Sequence, residues 1–287
     1  LKREKPDIIL SGFDIAANFA LSVCGAHMNI PVAHIQGGEV SGTIDESLRH
    51  AITKFSHIHF TANSETKKRL IKMGEVPKNI YSVGCPSIDA LISENLISKK
   101  KILTKFKIDI SKPYVLVIQH PVTTELDQSK KQITETIKAV KKFSIQHLII
   151  FPNNDAGSKN ILNSIHKEKI NYTPTLKLSE YKTLLKSCAM LIGNSSSGVH
   201  EAATFKIPVI NIGTRQNGRM KPENIINVDH NRRKIYFAMK TALSKKFLKK
   251  IRKIKNPYGD GKSAHRIIKI LKKINLRKIN IQKQITY

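Results

Sequence analysis

The sequence contains no tryptophan, few other aromatic residues and only three cysteines. Cys24, Cys85 and Cys188 are odd in number and far apart, so they fit neither a disulfide framework nor the spacing of zinc ligands. Long apolar runs are also absent, because no stretch approaches the roughly 18–20 residues that a membrane-spanning helix needs. We therefore expect a cytoplasmic protein that has no membrane partner.

Acidic residues are scarce, with 21 Asp and Glu against 50 Lys and Arg, which gives a net charge of +29. After His230 there are 19 basic residues and one acid, Asp260. Such an excess fits an anionic partner such as nucleic acid, or solvated helix faces in a Lys-rich protein. Nucleic-acid modules usually add Arg forks and exposed aromatics, whereas here aromatics are 6% of the residues. We favour solvated faces and expect no nucleic-acid partner, although the charge could steer an anionic substrate inward.

Short β-rich runs alternate with helical stretches, which is typical of parallel sheets joined by crossover helices. The pattern pauses at 98–113, a Lys-rich stretch that resembles a linker, and then restarts. We therefore predict an α/β fold of two Rossmann-like domains, 1–106 and 112–262, with the C-terminal helix 263–287 joining the first. The first domain holds too few strands for a complete doubly wound sheet, so we expect that sequence is missing before Leu1.

The individual elements follow from local periodicity and from the residues that punctuate it. The predicted strands are Asp7–Ser11, Pro31–Ile35, His57–Thr61, Ile80–Val83, Tyr114–Gln119, Leu148–Phe151, Met190–Ile192, Pro208–Ile212 and Ile225–Val228. The predicted helices are Ala16–His27, Glu46–Phe55, Ser64–Lys72, Ser129–Phe143, Ser158–His166, Tyr181–Ser187, Gly198–Thr204 and Ser263 to about Leu276.

The strongest functional signal is the block 34–50, which lies where a predicted strand ends and a helix begins. Ligands of open α/β sheets bind at such positions. Gly37 and Gly38 would let the backbone approach a ligand closely. Asp45 fits a helix cap and a catalytic carboxylate equally well. Arg49 lies one helical turn later, so the two side chains could form a structural ion pair or part of a site.

Two further polar residues follow predicted strands. Asp14 comes soon after the strand Asp7–Ser11, where a lone Asp is more often a helix cap. His120 follows the first strand of the second domain and precedes Pro121, a position that faces a cleft more readily than a core. Its residue type and position leave a structural and a functional role equally open.

A Ser/Gly loop at 193–198 leads from a strand into a helix, an arrangement that offers backbone N–H groups and a positive dipole to phosphate. The loop lacks the Gly-Lys-Ser/Thr ending of a Walker motif. Ser195 and Ser196 could bind phosphate or simply cap the helix. Glu201, about one turn into the helix, could accept hydrogen bonds from ribose hydroxyls. Arg215 follows the next strand and is a candidate phosphate fork.

Taken together, these motifs resemble the hydrolysing UDP-N-acetylglucosamine 2-epimerases. That family comprises bacterial enzymes of sialic- and legionaminic-acid synthesis and the epimerase half of a bifunctional animal enzyme. The similarity runs from about Lys5 to Leu271. Six blocks carry it in order: HIQGGEVSGTIDESLRHAITK, QHPVTTE, FPNNDAGSK, GNSSSGVHEAA, PVINIGTRQNGR and NPYGDG.

The resemblance implies a fold like that of the GT-B glycosyltransferases, in which two Rossmann-like domains face one another across a cleft and the C-terminal domain mainly holds UDP. It implies homo-oligomers, either dimers or tetramers, and no metal or redox cofactor. It implies catalytic positions at Asp14, Asp45 and His120, with Glu39 as a further member of the motif. It implies positions that contact the substrate or UDP at Arg49, Asn153, Ser195, Ser196, Glu201 and Arg215.

The implied reaction eliminates UDP from a UDP-2-acetamido sugar. A carboxylate takes the C2 proton while UDP departs, and neighbouring carboxylates stabilise the positive charge at the anomeric carbon. His120, Arg215 and the serine loop would stabilise the departing diphosphate. Water then adds to the glycal and gives the free C2-inverted sugar, either ManNAc or a 2,4-diacetamido-6-deoxy relative. The alternative is a GT-B glycosyltransferase that uses a UDP-sugar donor, which would explain the serine loop but not the catalytic set.

The chain departs from the family pattern in three places. The family's first strand and its Arg/Ser loop would precede Leu1. Ile15 stands where an Arg usually follows the catalytic Asp, and Gln36 stands where the animal enzyme has a catalytic Glu. We therefore expect this 287-residue chain to bind UDP but hardly to turn over.

Overall fold

The computed structural model describes residues 1–286, which form two compact units. The first unit comprises Leu1–Ile92 and the chain from Pro257 onward, and the second comprises Ser93–Asn256. These boundaries differ from the predicted divisions after 106 and 262, because the segment that follows Ile92 packs within the second unit. There the Ile97 N–H donates to Thr183 Oγ1 at 3.1 Å.

Ten strands and twelve α-helices are present in the described residues. The strands are β1 (Ile9–Gly12), β2 (Val32–Ile35), β3 (Ile58–Thr61), β4 (Ile80–Ser82), β5 (Tyr114–Ile118), β6 (Gln146–Ile150), β7 (Tyr172–Thr173), β8 (Met190–Gly193), β9 (Val209–Ile212) and β10 (Ile225–Val228). The helices are α1 (Ala16–His27), α2 (Asp45–Phe55), α3 (Ser64–Lys72), α4 (Pro86–Ser93), α5 (Lys99–Lys105), α6 (Ser129–Phe143), α7 (Ser158–Lys167), α8 (Leu178–Ser187), α9 (Ser196–His200), α10 (Arg232–Ala242), α11 (Lys245–Ile251) and α12 (Ser263–Leu271).

The first unit is built on a parallel sheet in the order β1-β2-β3-β4. Its inner strands are almost wholly buried, as expected where helices cover both faces of a parallel sheet. Ala33, Ile58 and Phe60 pack with Ile267 of α12, so the closing helix completes this core. That helix ends at Leu271, earlier than predicted, and a short 3-10 turn follows at Leu276–Lys278.

The second unit contains a parallel sheet in the order β10-β9-β8-β5-β6-β7. Numbered from β5, this is the strand order 3-2-1-4-5-6 of a doubly wound Rossmann sheet. The order reverses between the neighbours β5 and β8, which pair from Val115 and Met190 to Ile118 and Gly193. Ligands of such sheets bind at the carboxyl ends of strands beside this switch point. The α/β prediction with two Rossmann-like parallel sheets is confirmed.

Helices α5 and α10 were missed because a composition rich in basic residues obscures a short apolar stripe. The predicted linker contains α5, whose Ile102 and Leu103 are buried. Helix α10 was not predicted, yet Ile235, Met239 and Ala242 lie buried at helical spacing. Helices α4 and α11 and the two-residue strand β7 were also not predicted. Within residues 1–286, no helix has both the length and the apolar character to cross a membrane.

Candidate functional site

The carboxyl edge of the first sheet carries an ion pair between the half-buried Asp14 and the buried Arg49. Asp14 follows β1, and Arg49 lies on α2 with its side chain 5% exposed. Arg49 Nη2 donates to Asp14 Oδ2, while Arg49 Nη1 donates to the backbone oxygen of Glu39 at 2.9 Å. Glu39 is itself buried. Arg49 therefore connects two other sequence-predicted residues, Asp14 after β1 and Glu39 after β2.

The alternative explanations of Asp14 and Asp45 as helix caps do not hold. Helix α1 is preceded by Ile15 and helix α2 by Ile44, and neither helix has a side-chain cap. Asp45 is the first residue of α2 and is half-buried. The predicted pairing of Arg49 with Asp45 does not form either, because within residues 1–286 the Arg49 ion pair is with Asp14. Asp45 therefore keeps a carboxylate that no cation neutralises in the described chain.

The two glycines of the first block serve the protein's own packing. Gly38 has a positive φ of 79°, and a Cβ there would collide with the backbone oxygen of Thr66 on α3. Arg69 Nη1 donates to the Gly38 oxygen at 2.5 Å. Gln36 also has a positive φ, and its Nε2 lies 2.9 Å from Cys85 Sγ. The contacts of Gly38 hold the loop against α3, and the contact of Gln36 ties it to Cys85 just before α4. Together they fix the path of the chain toward Glu39.

In the second unit, His120 lies at the switch point beside β5. The backbone N–H of Asn153 donates to His120 Nδ1 at 3.0 Å, so a neutral imidazole must carry its proton on Nε2. Burial lowers the pKa of His120 to about 3, and the nearby Arg215 guanidinium contributes to this shift. At neutral pH, His120 is therefore an uncharged hydrogen-bond donor rather than a cation.

The neighbouring strand β8 ends in the serine loop. Ser195 is the N-cap of α9, and its Oγ accepts from the Ser197 N–H at 3.3 Å. The capping explanation therefore holds for Ser195, and Ser196 is the first helical residue. Glu201 lies at the end of α9, where its Oε2 accepts a hydrogen bond from the Tyr181 hydroxyl at 2.8 Å. The loop thus presents helix-start N–H groups, and the carboxylate of Glu201 is held in place by Tyr181.

The loop after β9 brings Arg215 to the same group of loops. Arg215 is half-buried, and its Nη1 lies 3.4 Å from the backbone oxygen of Asn194. Gln216 Nε2 donates to that same oxygen at 2.7 Å. Asn153 completes the set through its bond to His120, and its Nδ2 also donates to Asp155. His120, Asn153, Arg215 and the serine loop therefore lie together at the carboxyl edge of the second sheet.

Sequence reasoning did not single out Asn194 or Tyr181. Asn194 stands inside the quoted block GNSSSGVHEAA, directly after a buried strand at the switch point. A polar residue that follows a wholly apolar strand is the signal that could have identified it. Tyr181 offers no comparable signal, because its partner Glu201 lies 20 residues away and no local spacing connects them.

Comparison with known proteins identifies relatives that match most of the chain. The family model of UDP-N-acetylglucosamine 2-epimerase matches residues 1–272. The chain is 37% identical over 278 residues to the UDP-N,N'-diacetylbacillosamine 2-epimerase (hydrolyzing) of Legionella pneumophila, which covers 95% of this chain and 72% of the relative. It is 35% identical over 243 residues to the UDP-N-acetylglucosamine 2-epimerase of Neisseria meningitidis, which covers 84% of this chain and 64% of the relative.

Solved structures show the same fold. The UDP-GlcNAc 2-epimerase of Neisseria meningitidis bound to UDP-GlcNAc has a TM-score of 0.83 at 20% identity and covers 96% of this chain and 78% of its own. The Methanocaldococcus jannaschii enzyme in complex with UDP-GlcNAc and UDP has a TM-score of 0.76 at 22% identity, with coverages of 95% and 77%. The chain spans between 61% and 72% of the length of four curated relatives.

Proposed function

Because the chain belongs to the UDP-N-acetylglucosamine 2-epimerase family, we propose that it eliminates UDP from a UDP-2-acetamido sugar and hydrates the glycal to the free C2-inverted sugar. The observation that carries this proposal is the Asp14–Arg49 ion pair, which joins candidates 35 residues apart at one sheet edge. A helix cap would not require this pairing. The start of α2 carries a second carboxylate, that of Asp45, which the glycosyltransferase alternative does not explain.

The proton at C2 of the sugar needs a base. Asp45 is our candidate, because its carboxylate has no cation partner in the described residues, whereas Asp14 is held by Arg49. A carboxylate without a cation partner leaves both of its oxygens available to a substrate proton, whereas the guanidinium of Arg49 occupies one oxygen of Asp14. Asp14 would then stabilise the positive charge that develops at the anomeric carbon. Glu39, buried and with its backbone oxygen on Arg49, would support this arrangement.

The departing diphosphate needs hydrogen-bond donors in fixed positions. We propose that His120 donates through Nε2, since Nδ1 already accepts from Asn153. Arg215 adds positive charge, and Ser195 and Ser196 add the N–H groups that begin α9. Glu201, oriented by Tyr181, would accept from the ribose hydroxyls. All of these groups lie in the second unit, which we therefore propose to be the UDP-binding unit.

We further propose that the preferred sugar is a 2,4-diacetamido-6-deoxy sugar, the kind of substrate in the name of the Legionella relative. Phe13 and Ile15 flank Asp14, and Ile44 precedes Asp45. All three side chains are exposed, at 59%, 55% and 60%. Apolar groups beside the carboxylates favour a 6-methyl group and an acetamido methyl group over the two hydroxyls of UDP-N-acetylglucosamine.

The test is to incubate the full-length protein with each UDP-sugar in heavy water and to follow UDP and the free sugar. We expect UDP release without any acceptor and one deuterium at C2 of the inverted product. Turnover of the diacetamido sugar should exceed that of UDP-N-acetylglucosamine. A product that keeps its original C2 hydrogen would refute elimination, and UDP release that requires an added acceptor would indicate a glycosyltransferase.

A further inference from the structure

Asn194 lies at the centre of the second unit's candidate site. Its side chain is fully buried, and its backbone N–H donates to the Ile118 oxygen at 3.1 Å. The preceding Gly193 has a φ of 131°, and a Cβ there would collide with the same oxygen. The end of β8 can therefore approach the end of β5 only because position 193 is glycine. This close approach brings Asn194 directly against the chain that carries His120.

The side-chain amide of Asn194 forms two hydrogen bonds with the backbone of His120. The His120 N–H donates to Asn194 Oδ1 at 2.7 Å, and Asn194 Nδ2 donates to the His120 oxygen at 2.9 Å. The two bonds fix the orientation of the amide, because exchanging its oxygen and nitrogen would lose both of them. A buried amide in this arrangement allows little freedom to the peptide units of His120.

The backbone oxygen of Asn194 ties in a third loop. It accepts from Gln216 Nε2 at 2.7 Å and from Arg215 Nη1 at 3.4 Å. Gln216 is buried and is itself held by Arg219 Nη1 at 2.8 Å. One residue therefore connects the loops after three adjacent strands, β5, β8 and β9.

We propose that Asn194 is a positioning residue for the reaction, which fixes His120 so that its Nε2–H meets the departing diphosphate. The proposal rests on the proposed function for its kinetic consequence, but not for its geometry. Asn194 faces the backbone of His120 and leaves the imidazole free to act. Its removal should impair turnover more than binding, because a small displacement of a catalytic donor costs about 100-fold in rate.

The first test is a double-mutant cycle with His120→Ala, Asn194→Ala and the double variant. We expect Asn194→Ala to lower kcat by roughly 30- to 100-fold and to change KM by less than about 3-fold. In the His120→Ala background the same substitution should lower kcat by no more than about 3-fold, since the donor that it positions is gone. A full, additive loss in that background would overturn the proposal.

Two variants separate positioning from general damage to the fold. Asn194→Asp keeps the acceptor for the His120 N–H but sets a carboxylate oxygen against the His120 carbonyl, so kcat should fall in this isosteric variant as well. Asn211 is the matched control, because it is buried on β9 and its Nδ2 donates to Asn227 Oδ1 at 2.9 Å. Asn211→Ala should lower stability and leave kcat unchanged. Equal kcat losses in Asn194→Asp and Asn211→Ala would overturn the positioning role.

A spectroscopic measurement tests whether Asn194 positions His120 without relying on an activity assay. Nitrogen NMR of labelled histidine should show His120 in the wild type as a neutral ring protonated at Nε2, and Asn194→Asp should shift or broaden this signal. An unchanged His120 signal in that variant would overturn the proposal. Failure of the proposed function is distinguishable, because it would appear as no UDP release by the wild type while the His120 signal still responds to the substitution.

Discussion

The two candidate regions hold their functional groups by opposite means. In the first unit, Asp14 is a charged group held by another charge, the guanidinium of Arg49. In the second unit, His120 is uncharged and is held by neutral amides, from Asn194 on its backbone and from Asn153 on its ring. The difference suits the proposed chemistry, because carboxylates must be ionised to take a proton and stabilise a cation, whereas a donor to diphosphate must keep its proton.

The contrast also predicts how each region fails. Loss of one partner disrupts the Asp14–Arg49 pair through charge, since the partner left alone carries an uncompensated charge. Loss of the Asn194 amide leaves no uncompensated charge, and its effect is to let the backbone of His120 move. Substitutions in the first unit should therefore affect both stability and turnover, and substitutions at His120 should affect turnover more than stability.

The largest expected effect is on turnover. Asp45→Asn and His120→Ala should each lower kcat by about 100-fold or more, because each removes a group that acts on the transition state. UDP affinity should change little in Asp45→Asn, and steady-state kinetics with calorimetric UDP titration measures both. Asp7→Asn is the control, since Asp7 is an exposed carboxylate at the opposite end of β1. Unchanged turnover in both variants would leave these residues with structural roles alone.

The next effect is on stability. Arg49→Met should lower the free energy of unfolding by about 2 kcal/mol, because Asp14 loses its cation and the Glu39 oxygen loses its donor. Arg49→Lys should recover only part of this loss, since an ammonium cannot make both bonds of the fork. Urea unfolding measures the change. Arg3→Lys is the exposed counterpart, because Arg3 pairs with Glu4 at the surface, and it should change stability by less than about 0.5 kcal/mol.

A smaller effect is expected on UDP affinity. Arg215→Ala should weaken UDP binding by about 10-fold, the value of one charge-assisted hydrogen bond. Isothermal titration provides the measurement, and Arg252→Ala is the control because Arg252 is an exposed arginine of the same unit. If both variants weaken binding equally, the effect belongs to the general positive charge and not to this side chain.

The smallest expected effect, counted for each residue, is the pH dependence of stability. Burial is the main cause that lowers the pKa of His34, His59 and His120 below the ordinary value of 6.5. His34, whose pKa lies well below 6.5, and His120 are neutral when folded, so below pH 6.5 the unfolded chain binds protons at these two positions that the folded chain does not. Stability should therefore fall by about 1 kcal/mol per buried histidine between pH 7.5 and 5.5.

Urea unfolding at the two pH values measures this slope. His120→Asn should make it shallower, while a substitution of the exposed His265 should leave it unchanged. At still lower pH, Glu75 contributes in the same direction, because His59 and Lys283 hold its pKa at about 2. Stability that is constant or rises on acidification would contradict the assignment of these histidines as buried and neutral.

Much of the fold follows from local sequence, because strands such as β5 are uninterrupted apolar runs. Helix α6 likewise begins and ends at the predicted residues. The order of the strands does not follow, since it depends on which strands pair across the sheet. The switch point between β5 and β8 is therefore visible only in the structure. The position of His120 at this point is what makes it a candidate for ligand binding.

The candidate site shows the same limit. Helical spacing correctly places Asp45 and Arg49 on one turn, but the guanidinium turns to Asp14, whose position depends on β1 lying beside β2. Helical spacing identifies only partners close in sequence, whereas the partner that Arg49 pairs with comes from another part of the chain. Asn194 was passed over for a related reason, because its hydrogen-bond partner lies 74 residues earlier in the chain.

The first unit consists of two stretches of chain separated by the whole of the second. Ile267 completes its core, and Lys283 Nζ lies 2.6 Å from the buried carboxylate of Glu75. During synthesis, all strands of the second unit therefore leave the ribosome before α12, which the core of the first unit needs, has been made. A chain that ends at about residue 256 and has been released from the ribosome should present a protease-resistant second unit attached to a first unit that is still open to cleavage.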